Sequence, residues 1–229
     1  MENKNNSLSR DVFLTGSIIS LCHPIIESDI INGNWHTWFN SQSITEFLEH
    51  GIAPVSAAEE AEIVRAEMSK PTSLVLAIVG NADGKLFGVI SIKNINHLLR
   101  RGEIALVTCE KRLPGAALEA MALMTSHAFD RMNLQTLYAG QHEGLWKWVN
   151  TLALIGYKVE GLRRRQGFRN GKSYDVILTS VTVDDFYQIR SERNGDILCG
   201  NAVTLGTKRK KTRIVEELRK LLRDFNESE

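Results

Sequence analysis

Hydrophobic and polar positions change rhythm several times along this chain, and each change marks an element. FLTGSIISLCHPI (residues 13–25) reads as a strand or a strand pair. Ser28–Gly51 carries Trp35, Trp38, Phe39, Ile44, Phe47 and Leu48 at roughly helical spacing, broken by loops. Ala57–Ser69 is a predicted helix, with Ser56 as its N-cap and Pro71 just past its end. Leu74–Val79 is continuously apolar, as a short buried strand is. Asn81-Ala82-Asp83-Gly84 has hairpin chemistry, and Leu86–Ile95 is the returning strand. A basic turn at Leu98–Gly102 leads into the apolar, β-prone run Gly102–Cys109.

The second half alternates helix and strand. ALEAMALMTSHAFDRMN is amphipathic, and LQTLYAG after it is a strand. Leu145–Ile155 reads as a short helix. Tyr157–Gly167 and Tyr174–Val183 are strands joined by a turn around Asn170-Gly171. A meander, a βαβ unit, a helix and a hairpin make an α/β order. The expected layout is a disordered stretch at 1–11, one domain over 12–187 and an extension over 188–229. In that extension a basic run, TKRKKTR, precedes IVEELRKLLRDF, whose Ile214, Leu218, Leu221, Leu222 and Phe225 share a helical face. An isolated helix of this length is marginal in water, so the stripe needs cover. Its own domain, a second subunit in a homo-oligomer, or another protein would supply it.

Composition narrows the class. Of 229 residues, 43% are hydrophobic and 24% charged, which suits an ordinary globular protein. A net charge of +1 gives no global argument for nucleic acid or an anionic membrane. Cys22, Cys109 and Cys199 are odd in number and far apart, so neither a disulfide framework nor a metal site is expected. The polar start MENKNNSLSRD lacks an apolar signal core, and no run approaches the ~20 apolar residues of a membrane span. The expected location is the cytoplasm.

Chemistry concentrates between Glu103 and Gly140. A strand there feeds RLPGAA and then a helix. A helix start leaves backbone N–H groups unpaired, and with the helix dipole they attract an anion. Arg112-Leu113-Pro114-Gly115-Ala116-Ala117 has the spacing Arg-x-x-Gly-x-Ala. This resembles the pyrophosphate loop of the GNAT N-acetyltransferases, Gln/Arg-x-x-Gly-x-Gly/Ala. Glu119-Ala120 is similar to the RimJ/RimL-like branch. Gly156–Gly161 is similar to the usual GNAT ending, and Gly167-Phe168, Gly171-Lys172 and Asp175-Val176 resemble the aminosugar acetyltransferases of the pseudaminic-acid pathway (PseH-like).

The resemblance implies a GNAT fold, a central mixed and mostly antiparallel sheet flanked by helices, here with a C-terminal helical extension. It implies acetyl-CoA as cosubstrate, bound by backbone groups of Val107 and Cys109 and by the loop from Arg112 through Leu113, Pro114, Gly115, Ala116 and Ala117. It implies transfer of acetyl to the amino group of a nucleotide-linked aminosugar, with a protein N-terminus or a non-catalytic acyl-CoA-binding module as alternatives. Glu103 is the candidate base, or else a strand-edge charge paired with Arg100 or Arg101. Leu152 stands where the family usually places an acidic Tyr. Tyr157 is the nearby candidate to replace it. Trp35, Trp38 and Phe39 are acceptor-pocket or core residues, and Arg163, Arg164 and Arg165 are candidate phosphate contacts or solvated charges.

Overall fold

The computed structural model describes residues 10–109 and 113–226. Eight strands form one sheet: β1 (Val12–Thr15), β2 (Ile19–Cys22), β3 (Leu74–Gly80), β4 (Leu86–Asn96), β5 (Arg101–Thr108), β6 (Thr136–His142), β7 (Lys158–Arg169) and β8 (Lys172–Thr182). Their order is β1-β2-β3-β4-β5-β6-β8-β7. β5 and β6 run parallel, while the other neighbours are antiparallel. Asn170 and Gly171 both have positive φ, which fits the Asn-Gly turn between β7 and β8.

Helices cover both faces. α1 (Trp35–Asn40), α2 (Gln42–Thr45) and α3 (Ala57–Met68) follow β2. Ser56 caps α3, as the sequence predicts, and the structure adds a capping box with Glu59. Trp35, Trp38 and Phe39 are buried with Ala61 and Val64 against Val75, Ala77 and Val89, so the aromatic cluster is core. α4 (Ala116–Asp130) packs on the opposite face, where Ile78, Ile90, Ile92, Met124 and Leu137 form the larger core. α5 (Trp146–Leu152) follows β6, and α6 (Val183–Glu192) follows β8.

The extension forms α7 (Ala202–Thr207) and α8 (Ile214–Asn226), and both dock on the body. Ala202 and Leu205 join the α4 core. Val215, Ile214 and Leu218 pack with Val149, Ile177 and Leu162. The docked face is turned from the expected stripe: Val215 is buried and Leu221 is 66% exposed. The side chain of Phe225 lies outside the described residues. Arg219 fixes the helix by hydrogen bonds to Asp175 (2.7 and 2.9 Å) and Glu143 (2.5 Å).

Residues 1–9 of the expected disordered stretch lie outside the described residues. Arg10 is ordered by its ion pair with Asp29, a residue only 2% exposed. Among the described residues, no helix is long and apolar enough to cross a membrane.

Candidate active site

The parallel pairing of β5 with β6 is short. It runs from Arg101↔Thr136 to Glu103↔Tyr138 and stops. β5 continues to Thr108 and β6 to His142 without further pairing between them. The two strands therefore enclose a wedge whose apex is the Glu103–Tyr138 pair. Five strand steps separate Glu103 from Thr108, about 17 Å at ~3.3 Å per residue. That length suits an extended pantetheine arm.

The open edge of β5 is not where the sequence resemblance puts it. The Cys109 amide donates to the Phe87 carbonyl on β4 at 2.8 Å. In an antiparallel ladder alternate residues direct both backbone groups to the same neighbour. Val107, opposite Val89, is therefore also engaged with β4. Leu106 and Thr108 present their backbone groups to the wedge instead. This corrects the expected contacts from Val107 and Cys109.

At the wide end of the wedge stands the first turn of α4. Gly115 is its N-cap, with φ of 80°, a left-handed conformation that glycine adopts without strain. Pro114 has no N–H, and the Ala116 amide donates to the Leu113 carbonyl at 3.2 Å. Within the first turn of α4 and its cap, the amides of Gly115, Ala117 and Leu118 are donors suited to an anion. Arg112 lies outside the described residues. Leu113 packs on the core, and the Ala116 side chain is buried in it.

Glu119, one turn further, holds the loop's surroundings in place. Its carboxylate accepts the amides of Ser17 (2.8 Å), Ile18 (2.8 Å) and Ile19 (2.9 Å). It thereby straps the β1–β2 turn to the start of α4.

Glu103 is solvent-exposed and accepts a hydrogen bond from Asn94 at 2.9 Å. Arg100 turns away and donates to the Asn133 carbonyl. Lys93 pairs with Glu103 across β4–β5, so Lys93, Glu103 and Tyr138 share one sheet face. Tyr157 is elsewhere. It is 2% exposed, lies in the α4 core and hydrogen-bonds Thr125 at 2.9 Å. Burial pushes its hydroxyl pKa up, with the Thr125 bond working against the shift. A hydroxyl in that position does not face the wedge, which corrects the expectation of a catalytic Tyr157. The core position of Leu152, fully buried, is likewise structural.

Two groups on the open face were not read from the sequence. His142 ends β6, against Tyr174 (4.3 Å between ring centres) and Phe47 (5.1 Å). Burial lowers its pKa. Its Nδ1 accepts the Gly144 amide at 3.0 Å, so the neutral ring carries its proton on Nε2. His142 therefore offers a donor rather than a base. Tyr174 lies over Gly167, where a Cβ would overlap its ring. Arg169 secures the facing loop by donating to the Thr45 and His50 carbonyls. The second group, Glu60 of α3, is 6% exposed and accepts from the Trp35 indole at 3.0 Å. Burial raises its pKa, and Trp35, Lys93 and His36 offset that in part. Its signal was an acid beside Ala61 and Val64 on the apolar face of α3.

No protein-family model matches the chain. It is 29% identical over 100 residues to spermidine N(1)-acetyltransferase of Escherichia coli strain K12, 43% of this chain and 54% of that protein. It thus spans about half the length of the curated relatives it matches. The crystal structure of Vibrio cholerae spermidine N-acetyltransferase with CoA and spermine superposes with a TM-score of 0.67 at 18% identity, over 75% of this chain and 99% of that one. A putative acetyltransferase from T. thermophilus gives 0.62 at 16% identity, over 78% and 93%. With an eight-stranded, mostly antiparallel sheet flanked by helices and these structural likenesses, the chain has the GNAT acetyltransferase fold.

Proposed function

We propose that this chain is an acetyl-CoA-dependent N-acetyltransferase acting on a small amine. The observation that carries the reading is the β5–β6 wedge, open from Glu103 outward and ending at the Gly115-capped start of α4. The free amides of the first α4 turn suit a pyrophosphate, and the free edge of β5 suits the amides of a pantetheine arm. Acetyl-CoA brings an activated acyl group. The chain's share is to align it with the amine, which supplies much of the rate. The amine nitrogen bonds to the acyl carbon, the carbon–sulfur bond breaks, and the sulfur leaves as thiolate. Glu103, at the apex, takes the proton released from nitrogen, directly or through one water. Tyr138, the strand-register partner of Glu103, is the candidate acid for the thiolate.

A polyamine of spermidine type is the first candidate acceptor. The matching relatives carry that activity in their names. A nucleotide-linked aminosugar is the second reading, favoured by the PseH-like residues of the β7–β8 hairpin. Arg163, Arg164 and Arg165, which that reading pairs with phosphates, line a groove of ≈ 1100 Å³ against Arg219 and Arg223 of α8. Thiol release from acetyl-CoA over spermidine, spermine, 4-amino-sugar nucleotides and N-terminal peptides separates them. Turnover should be fastest with the polyamines. A faster sugar nucleotide or peptide replaces that acceptor, and CoA binding without turnover on any amine leaves a binding module.

Tyr157 supplies a control. Tyr157→Phe removes a buried hydrogen bond and should cost about 1 kcal/mol of stability. Turnover of the folded variant should match the parent. A large fall in rate with unchanged acetyl-CoA affinity would restore Tyr157 to the mechanism.

A further inference from the structure

Three consecutive arginines stand on β7, and a regular strand would send them alternately to its two faces. β7 is irregular at this point. Its register against β8 slips between Arg163 and Gly167. Arg165 has φ of 50°, a left-handed conformation uncommon in a residue with a side chain. Its amide donates to the Asp175 carboxylate at 2.8 Å. With the alternation broken, Arg163, Arg164 and Arg165 all line one groove of ≈ 1100 Å³ between this edge strand and α8.

One buried carboxylate fixes both walls. Asp175 is 8% exposed, and its second oxygen accepts from Arg219 of α8 at 2.7 and 2.9 Å. Burial opposes its ionisation, but the Arg165 amide, Arg219 and Arg164 outweigh that and lower its pKa. The charge of Arg219 is spent on Asp175 and Glu143, and Glu216 pairs with Arg213 at 3.5 Å. Arg163, Arg164, Arg165 and Arg223 form no ion pair among the described residues. Four uncompensated guanidinium forks therefore border the groove, and such forks match phosphate oxygens two at a time. Leu162 and Leu222 add apolar lining on which a nucleoside could rest. The volume is that of a small-molecule site. A net charge of +1 gives the chain no broad basic field, which favours a small anion over nucleic acid.

The groove is set apart from the proposed chemistry. Glu103 pairs with Tyr138, and Tyr138 with Ser180, so the three share a sheet face. Asp175 lies an odd number of residues along β8 from Ser180 and points to the opposite face, where it holds α8. We infer that the groove between β7 and α8 is a binding site for a polyphosphate, free or carried by a nucleotide, separate from the β5–β6 wedge. The phosphate contacts at Arg163, Arg164 and Arg165 then belong to a second ligand and not to the acceptor amine. The inference stands independently of the acetyl-CoA reading.

Calorimetry on the full chain with ATP and with inorganic triphosphate, each with and without saturating acetyl-CoA, tests it. Both probes should bind whether or not acetyl-CoA is present. The variant R163A/R164A/R223A should bind each about tenfold more weakly or worse. Arg165 stays in place because its backbone conformation shapes the bulge. R163Q/R164Q/R223Q, which keeps polar side chains without the charge, should lose as much. Melting temperatures should stay together, because the replaced side chains are exposed. ATP binding more tightly than triphosphate identifies a nucleotide as the source, and equal binding identifies free polyphosphate; either supports the site. Unchanged affinity in either variant, a parent that binds neither probe, or binding that acetyl-CoA abolishes overturns it. A single-stranded RNA oligonucleotide that binds more tightly than ATP through the same arginines overturns it in favour of a nucleic-acid surface. A parent that binds ATP but not acetyl-CoA keeps the groove and removes the acetyl-CoA reading.

Discussion

Glu103→Gln should lower kcat for amine acetylation by about 10² to 10⁴-fold, the usual range for a positioned general base. Acetyl-CoA affinity should stay as in the parent, because the side chain touches no part of the proposed pyrophosphate or pantetheine path. The substitution keeps the shape of the side chain and its capacity to hydrogen-bond Asn94. It removes only the ability to take a proton. The exposed position makes a folding defect a poor explanation for lost rate, and equal melting temperatures would exclude one. Asn94→Ala is the companion variant. Asn94 has φ of 52° and orients the carboxylate from the bulged end of β4, so its loss should cost less than the loss of Glu103. Single-turnover rates separate chemistry from product release in both. A Glu103→Gln variant within about threefold of the parent would return Glu103 to the role of a strand-edge charge.

Much of the scaffold was legible from local patterns. Ser56 announced the start of α3, and Asn170-Gly171 fixed the β7–β8 turn, because both signals act within four residues. The loop motif at Gly115 located the wide end of the wedge for the same reason. The misplaced details depend on register and on contacts distant in sequence. Which residues of β5 face the wedge follows from hydrogen-bond alternation against β4. A one-residue shift exchanges Val107 and Cys109 for Leu106 and Thr108. Tyr157 was two residues from a helix of interest, yet its side chain belongs to the far side of the sheet with Thr125. His142 gained its surroundings from Phe47 and Tyr174, one before it and one after it in the chain. The α8 stripe was visible, but the body chose the face centred on Val215 over the one containing Leu221.

Glu119→Ala should give the largest loss of stability of any single substitution considered, about 3 kcal/mol or more. Glu119 is 2% exposed and its carboxylate accepts three backbone amides 100 to 102 residues away in sequence. Truncation leaves those donors without a partner, at about 1–3 kcal/mol for each that stays buried. Water entering the space relieves part of this, so the three costs do not simply add. Backbone shift cannot relieve the rest easily. Gly16 is packed so closely that a Cβ there would fall 2.6 Å from the Glu119 carboxyl carbon. Ile18, in the same turn, rests on Gly115. Loosening the turn therefore loosens the N-cap of α4, and CoA affinity should fall along with stability although Glu119 touches no ligand. Glu119→Gln should fall between parent and alanine, since its carbonyl oxygen accepts amides while its NH₂ opposes them. Urea unfolding of the three proteins, with CoA calorimetry on each, measures both effects. A Glu119→Ala protein within about 1 kcal/mol of the parent would show that the 16–19 turn holds itself. A fall in stability without a fall in CoA affinity would uncouple the turn from the anion site.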